Sequence, residues 1–326
     1  MRCTTLLNKA GVGPPPEPPT SERALTEILE RGRPLGHHTH LVSRGYRCPV
    51  TSLGQGQPII CIHGLGHDQW DFSPLFERRE DGFELLALDL PGFGLSKRTG
   101  SCQDDHTTTT SRLNLSTLVE AVEALINTCI VPPILLGSSL GGHVALEIGL
   151  KSPESVRGLL LVAPGGLQSH SPQERLELLS HFSTESIGSR TTDVIEAINS
   201  RIFHGSCRAR AELAHRKLAQ HESVCAPRYA ATIASIVEDV LERPVGDRLG
   251  GLGCPVTFIF GAQDRVVPLQ LGISAAQQIN APLHIIDESG HLPMVESPDT
   301  FSNIAFDSAR ALLRQKALLN PGSLSC

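Results

Sequence analysis

The sequence predicts an α/β fold, a mostly parallel twisted sheet flanked by helices, and three observations predict it. Short apolar runs recur at Pro58-Ile59-Ile60-Cys61-Ile62, Leu85-Leu86-Ala87-Leu88, Ile134-Leu135-Leu136, Leu159-Leu160-Leu161-Val162, Val256-Thr257-Phe258-Ile259-Phe260 and Leu283-His284-Ile285-Ile286. Runs that are apolar on both faces belong to strands covered on both sides, the condition of a parallel sheet. Helical patterns lie between most of them, at Leu115 to Ile126, Gly141 to Leu150 and Leu269 to Ile279, and this alternation implies right-handed crossovers. Finally, 326 residues with 40% hydrophobic and 19% charged side chains suffice for a large buried core.

Taken in order, residues 1–36 form a leader. Pro14-Pro15-Pro16-Glu17-Pro18-Pro19 stays extended and solvated because proline fixes φ and donates no hydrogen bond. Ser21 to Arg31 follows with Leu25, Ile28 and Leu29 at helical spacing, and Gly32 to end the helix. His37 to Gln57 is turn-rich and β-like, an antiparallel hairpin with Gly45 and Gly54 at turn positions. The strand and helix series then occupies 37–166 and 247–316, with a tail at 317–326. Between Gly166 and Gly246 the strand signal disappears, and Ser171 to Phe182, Thr191 to Phe203, Arg208 to Glu222 and Ala226 to Glu242 read as amphipathic helices. An insertion at a strand's carboxyl end sits above the sheet where ligands of open α/β folds bind, so residues 167–246 are expected to be a helical lid.

Composition excludes several classes. The net charge of −6 offers no basic field for a nucleic-acid backbone, and 10 Phe, 2 Tyr and 1 Trp are too few for base-stacking platforms. The nine cysteines are scattered singly without zinc-ligand spacing, which suggests reduced thiols in a cytoplasm and no metal site. Leu6-Leu7 is too short an apolar stretch for a secretory signal, and no uncharged run approaches the ~18 residues of a membrane span. In the insertion, Arg201, Arg208, Arg210, Arg216 and Lys217 face one acid, Glu212, and read as a solvated helix face rather than an anion site.

The sharpest chemical signal is Gly137-Ser138-Ser139-Leu140-Gly141-Gly142, directly between a strand run and a helix. A turn that lifts one side chain clear of the sheet leaves no room for β-carbons two residues to either side. Ser139 has Gly137 and Gly141 in those places, whereas Ser138 would have Leu136 and Leu140. The turn also sets Ser139 at a helix amino end, where free amides and the dipole favour developing negative charge.

On these residues the sequence resembles the α/β-hydrolase family, and further motifs agree in order. His63-Gly64-Leu65-Gly66 is similar to its HG oxyanion turn, and Asp89-Leu90-Pro91-Gly92-Phe93-Gly94-Leu95-Ser96 to the turn after the next strand in lidded members. Gly261-Ala262-Gln263-Asp264 resembles the acid turn and Ser289-Gly290-His291 the histidine turn. The resemblance implies Ser139 as nucleophile, His291 as base and Asp264 as orienting acid, with the backbone N–H groups of Leu65 and Leu140 as oxyanion donors. The position of Asp264 and His291 directly after buried-strand patterns supports that assignment, and Ala163-Pro164-Gly165-Gly166 offers no rival carboxylate.

The implied activity is a lidded serine hydrolase acting on a small-molecule acyl substrate, foremost a carboxylic ester, with no cofactor. Thioesterase or acyltransferase, carbon–carbon bond hydrolase and cofactor-free perhydrolase are alternatives on the same residues. The expected structural residues are His63 in its turn, His143 along the helix, His37, His38 and His40 on the hairpin, and Asp89 and Glu296 as turn-holding acceptors. His67 and Trp70 are placed either at the pocket mouth or in packing. Oligomeric state is left open.

Overall fold

The structure, a computed structural model, describes residues 33–99, 113–183, 186, 200–205 and 226–319. The leader helix, the helix at Arg208 to Glu222 with all of the basic set but the exposed Arg201, most of the helix at Thr191 to Phe203, and the final tail residues lie outside the described residues.

The chain begins with an antiparallel hairpin, β1 (His37–Ser43) and β2 (Tyr46–Gly54). Its two-residue loop has φ 48° at Arg44 and 76° at Gly45, the double left-handed conformation whose twist matches the flanking strands. Next come β3 (Gly56–Ile62), a 3-10 turn (Gln69–Phe72), α1 (Ser73–Arg78), β4 (Gly82–Leu88) and the two-residue β5 (Lys97–Arg98). The series continues with α2 (Leu115–Ile126), β6 (Ile134–Ser138), α3 (Leu140–Lys151) and β7 (Gly158–Val162). After β7 the described residues contain α4 (Pro172–His181) and α5 (Ala226–Glu242) but no strand. The chain then returns to β8 (Val256–Gly261), α6 (Leu269–Gln278), β9 (Leu283–Ile286), α7 (Pro293–Glu296) and α8 (Pro298–Leu319).

The strands are ordered β1-β2-β4-β3-β6-β7-β8-β9, with β5 paired to β2. From β4 to β9 every pairing is parallel, while β2 joins β4 antiparallel. The apolar runs do what their two-faced pattern requires. Ile60 and Ile62 of β3, Leu135 of β6, Leu159 and Leu161 of β7 and Phe258 and Phe260 of β8 enter one core with α2, α3, α5 and α6. Their alternate neighbours, among them Ile59, Cys61, Leu136, Leu160 and Ile259, enter a second core with Phe76 of α1 and Phe301 and Phe306 of α8.

Local chemistry fixes the helix starts. Asn114 accepts from the Thr117 amide at 2.9 Å ahead of α2, and Ser171 with Glu174 forms a reciprocal capping box at α4. The described residues hold no helix long and apolar enough to cross a membrane.

Because β3 pairs with β4 on one side and β6 on the other, the connections leave the sheet in opposite directions between β3 and β6. A crevice opens at the carboxyl ends of strands at such a switch point.

Candidate active site

Ser139 follows β6 at that switch point, at φ 52° and ψ −113°, a combination that side-chain-bearing residues avoid. The strain is held by backbone bonds: Ser139 N donates to Val162 O at 2.9 Å, while Ser139 O accepts from Gly165 N at 2.9 Å and His143 N at 3.1 Å. Glycine is required on both sides. A Cβ on Gly137 would lie 2.3 Å from Gly141 O, and one on Gly141 would lie 2.0 Å from Ile62 O. Ser138, by contrast, is fully buried, and its hydroxyl has no partner among the described residues.

The side chain of Ser139 is half-buried and does not cap α3, so the amides of the first helical turn, Leu140 foremost, keep their donor capacity. The β3 turn lies close to the serine, since a Cβ on Gly64 would sit 3.3 Å from Ser139 Cβ and 3.9 Å from its Oγ. Leu65 follows, half-buried and packed against the first core.

His63 sets this turn. Its Nε2 accepts from Leu90 N at 2.9 Å, which leaves Nδ1–H to donate to Gly64 O at 2.8 Å. Burial keeps the imidazole neutral by pushing its pKa down, and the Phe93 ring meets it edge-on at 5.8 Å. Asp89 holds the next turn as a buried acceptor for Gln69 N at 3.0 Å and Leu95 N at 2.9 Å. Burial, with Asp68 nearby, raises its pKa to about 6.

Asp264 and His291 follow β8 and β9 and are brought together. His291 Nδ1 lies 2.8 Å from Asp264 Oδ2, with both residues buried. The other carboxylate oxygen of Asp264 accepts from Val266 N at 2.8 Å and Val267 N at 2.9 Å. That arrangement orients Oδ2 toward the imidazole and assigns the proton to Nδ1, leaving Nε2 as an acceptor. The two turns interlock tightly: a Cβ on Gly261 would be 2.0 Å from Gly290 O. Ser139 Oγ is not hydrogen-bonded to His291, since among the described residues Ser139 bonds through its backbone.

His143 is buried on α3 with Nε2 3.6 Å from Glu147 Oε1, facing its own helix. His67 pairs with Asp71 at 2.9 Å, both buried, which places it in packing. That i,i+4 spacing was present in the sequence. Two contributors carried no side-chain signal: the carbonyl of Ile202, which accepts from the His291 amide, and the amide of His204, which donates to the Glu296 carboxylate. The described residues contain no group of three His, Cys, Asp or Glu side chains able to hold a metal ion.

Comparison with known proteins agrees with this architecture. A pimeloyl-[acyl-carrier protein] methyl ester esterase of Stenotrophomonas maltophilia is 30% identical over 258 residues, covering 77% of this chain and 92% of its own. A 2-hydroxy-6-oxononadienedioate/2-hydroxy-6-oxononatrienedioate hydrolase of Pseudomonas putida is 27% identical, covering 78% of this chain and 88% of its own. The solved structure of a carboxylesterase from Bacillus subtilis superimposes with a TM-score of 0.71 at 16% identity, over 87% of this chain and 96% of that one, and so shows the fold. The alpha/beta hydrolase family matches residues 59–304, well over half of the sequence, and the chain belongs to that family.

Proposed function

We propose that the protein is a serine hydrolase that cleaves an acyl bond, foremost a carboxylic ester, through an acyl-enzyme. The observation that carries this reading is the buried His291–Asp264 pair at the sheet edge that also presents Ser139 at positive φ. A serine hydroxyl is a weak nucleophile at neutral pH and needs a positioned base. His291 Nε2 takes the Ser139 proton as Oγ attacks the carbonyl, and Asp264 holds Nδ1–H and stabilises the imidazolium. The Leu65 and Leu140 amides bind the oxyanion, where losing one donor costs about 2.7–4 kcal/mol. His291 then returns the proton to the leaving group, and water resolves the ester on Ser139 by the same route reversed. The chemistry requires neither a metal nor an organic cofactor.

Residues 167–246 are proposed as a helical cover over this edge, a reading supported by the departure of α4 and α5 after the carboxyl end of β7. The thiols of Cys48, Cys61 and Cys129, reduced among the described residues, support a reducing, cytoplasmic setting.

Fluorophosphonate labelling tests the reading. Wild type is expected to label, while Ser139→Ala and His291→Ala lose labelling. An unreactive wild type, or equal labelling of Ser139→Ala, sinks the assignment. A second reading, hydrolysis of a carbon–carbon bond in a vinylogous diketone acid, is favoured by the Pseudomonas putida relative at 27% identity. Faster turnover of such a dienoate than of any ester, read by loss of its visible absorbance, would select it.

A further inference from the structure

The histidine turn is joined to the inserted segment through one carboxylate. Glu296, the last residue of α7, accepts from Gly290 N at 3.0 Å, from Leu292 N at 3.1 Å and from His204 N at 2.7 Å. Its first two donors are the amides on either side of His291. The amide of His291 itself donates to Ile202 O at 2.7 Å. Every amide from Gly290 to Leu292 is therefore held either by Glu296 or by the 202–204 segment. The contact is close: a Cβ on Gly290 would lie 2.4 Å from Ile202 O and 2.9 Å from His204 N.

A carboxylate that only capped its own turn would take amides from that turn alone. Here one donor comes from 92 residues away, inside the stretch between β7 and β8. Charge-assisted bonds of this kind are about twice as strong as neutral ones. Burial raises the pKa of Glu296, while the three amides and His291 pull it back.

We propose that Glu296 is a positioning residue for His291, coupling the seat of that histidine to docking of the 202–204 segment so that the base is aligned when the inserted helices are in place. The inference rests on the reading of His291 as the catalytic base. Two carboxylates bear on its ring: Asp264, bonded to Nδ1, and Glu296, behind its own turn. A negative charge there favours the imidazolium formed as Ser139 attacks.

Glu296→Gln keeps the shape and one acceptor oxygen but removes the charge. On a chromogenic short-chain ester, kcat is expected to fall about tenfold with KM little changed, and the acid limb of kcat/KM to move to lower pH by about half a unit. A purely structural carboxylate would lower Tm and leave that limb in place. His204→Pro removes the distant amide and leaves the Glu296 charge, with His204→Ala as the control that keeps the amide, and should lower kcat with the acid limb unmoved while His204→Ala does not. Wild-type kcat and an unmoved limb in Glu296→Gln overturn the proposal. Should Glu296→Gln fail to fold, His204→Pro decides alone: unchanged kcat overturns it, and lowered kcat at constant KM supports it. Fluorophosphonate labelling of wild type separates the two levels, because an unreactive wild type overturns the functional reading and this inference with it.

Discussion

Ser139 occupies a backbone conformation that costs about 1–3 kcal/mol for a residue bearing a Cβ, and the molecule keeps it. Removing the hydroxyl in two ways separates strain from chemistry. Both Ser139→Gly and Ser139→Ala lose the proposed nucleophile, but only glycine relaxes at φ 52°. Ser139→Gly is therefore expected to be more stable than Ser139→Ala by about 1 kcal/mol, measured by urea unfolding. Equal stabilities would mean that the surrounding bonds, not the serine backbone, absorb the distortion. That Ser139 rather than Ser138 takes the strained turn position was legible because it depends on the absence of side chains at Gly137 and Gly141, which letters report directly. The bonds of Ile202 and His204 were not legible, because main-chain atoms are the same in every residue and only the fold brings them to the histidine turn.

At the scale of elements, α3 is tied to the base of the insertion by Glu147. Arg248 donates to it through both terminal nitrogens, Arg243 lies 3.8 Å away and His143 3.6 Å away on the same helix. Burial works against ionisation of Glu147, yet His143 and Arg248 outweigh it and hold the pKa down to about 2. A carboxylate whose folded pKa is depressed contributes stability above its unfolded value near 4.5, and that contribution is lost as pH falls toward 2. Glu147→Gln should thus cost about 1 kcal/mol at pH 7, with the arginine partners half-exposed and screened, and the gap to wild type should close by pH 2–3 in thermal unfolding. A gap that persists unchanged would assign the loss to packing. Helix positions were legible from their helical patterns, as at Leu115 to Ile126, while the Asn114 cap ahead of it came with the structure. The short α1 and α7 were not, since four to six residues carry no period to read.

Considered whole, the molecule does not divide where the strand signal stops. Tyr229, Ile233 and Ile236 of α5 belong to the same apolar cluster as β3, β6, β7 and β8, and Ile236 is fully buried. Ile236→Ala is expected to cost about 2–5 kcal/mol and to lower the main unfolding transition, that of the sheet and α5 together. A separate early transition with the main one unmoved would show that α5 unfolds by itself. The parallel strands and their double-sided burial were legible because a run such as Leu159 to Val162 has no polar face to offer water, whereas their order in the sheet was not. The docking of α5 was not, because its amphipathic pattern names one apolar side and leaves the partner unspecified.

Val245 N and Gly246 N both bond to Gly166 O, at 2.8 and 3.2 Å. The two ends of the inserted stretch are therefore pinned to one carbonyl, and a chain closed at a fixed point adds entropy cost only logarithmically, about 0.6 kcal/mol for each doubling of length. The length of chain between those ends can therefore change at small entropic cost while the strand register on either side stays put, as long as α5 keeps its apolar face in the shared core.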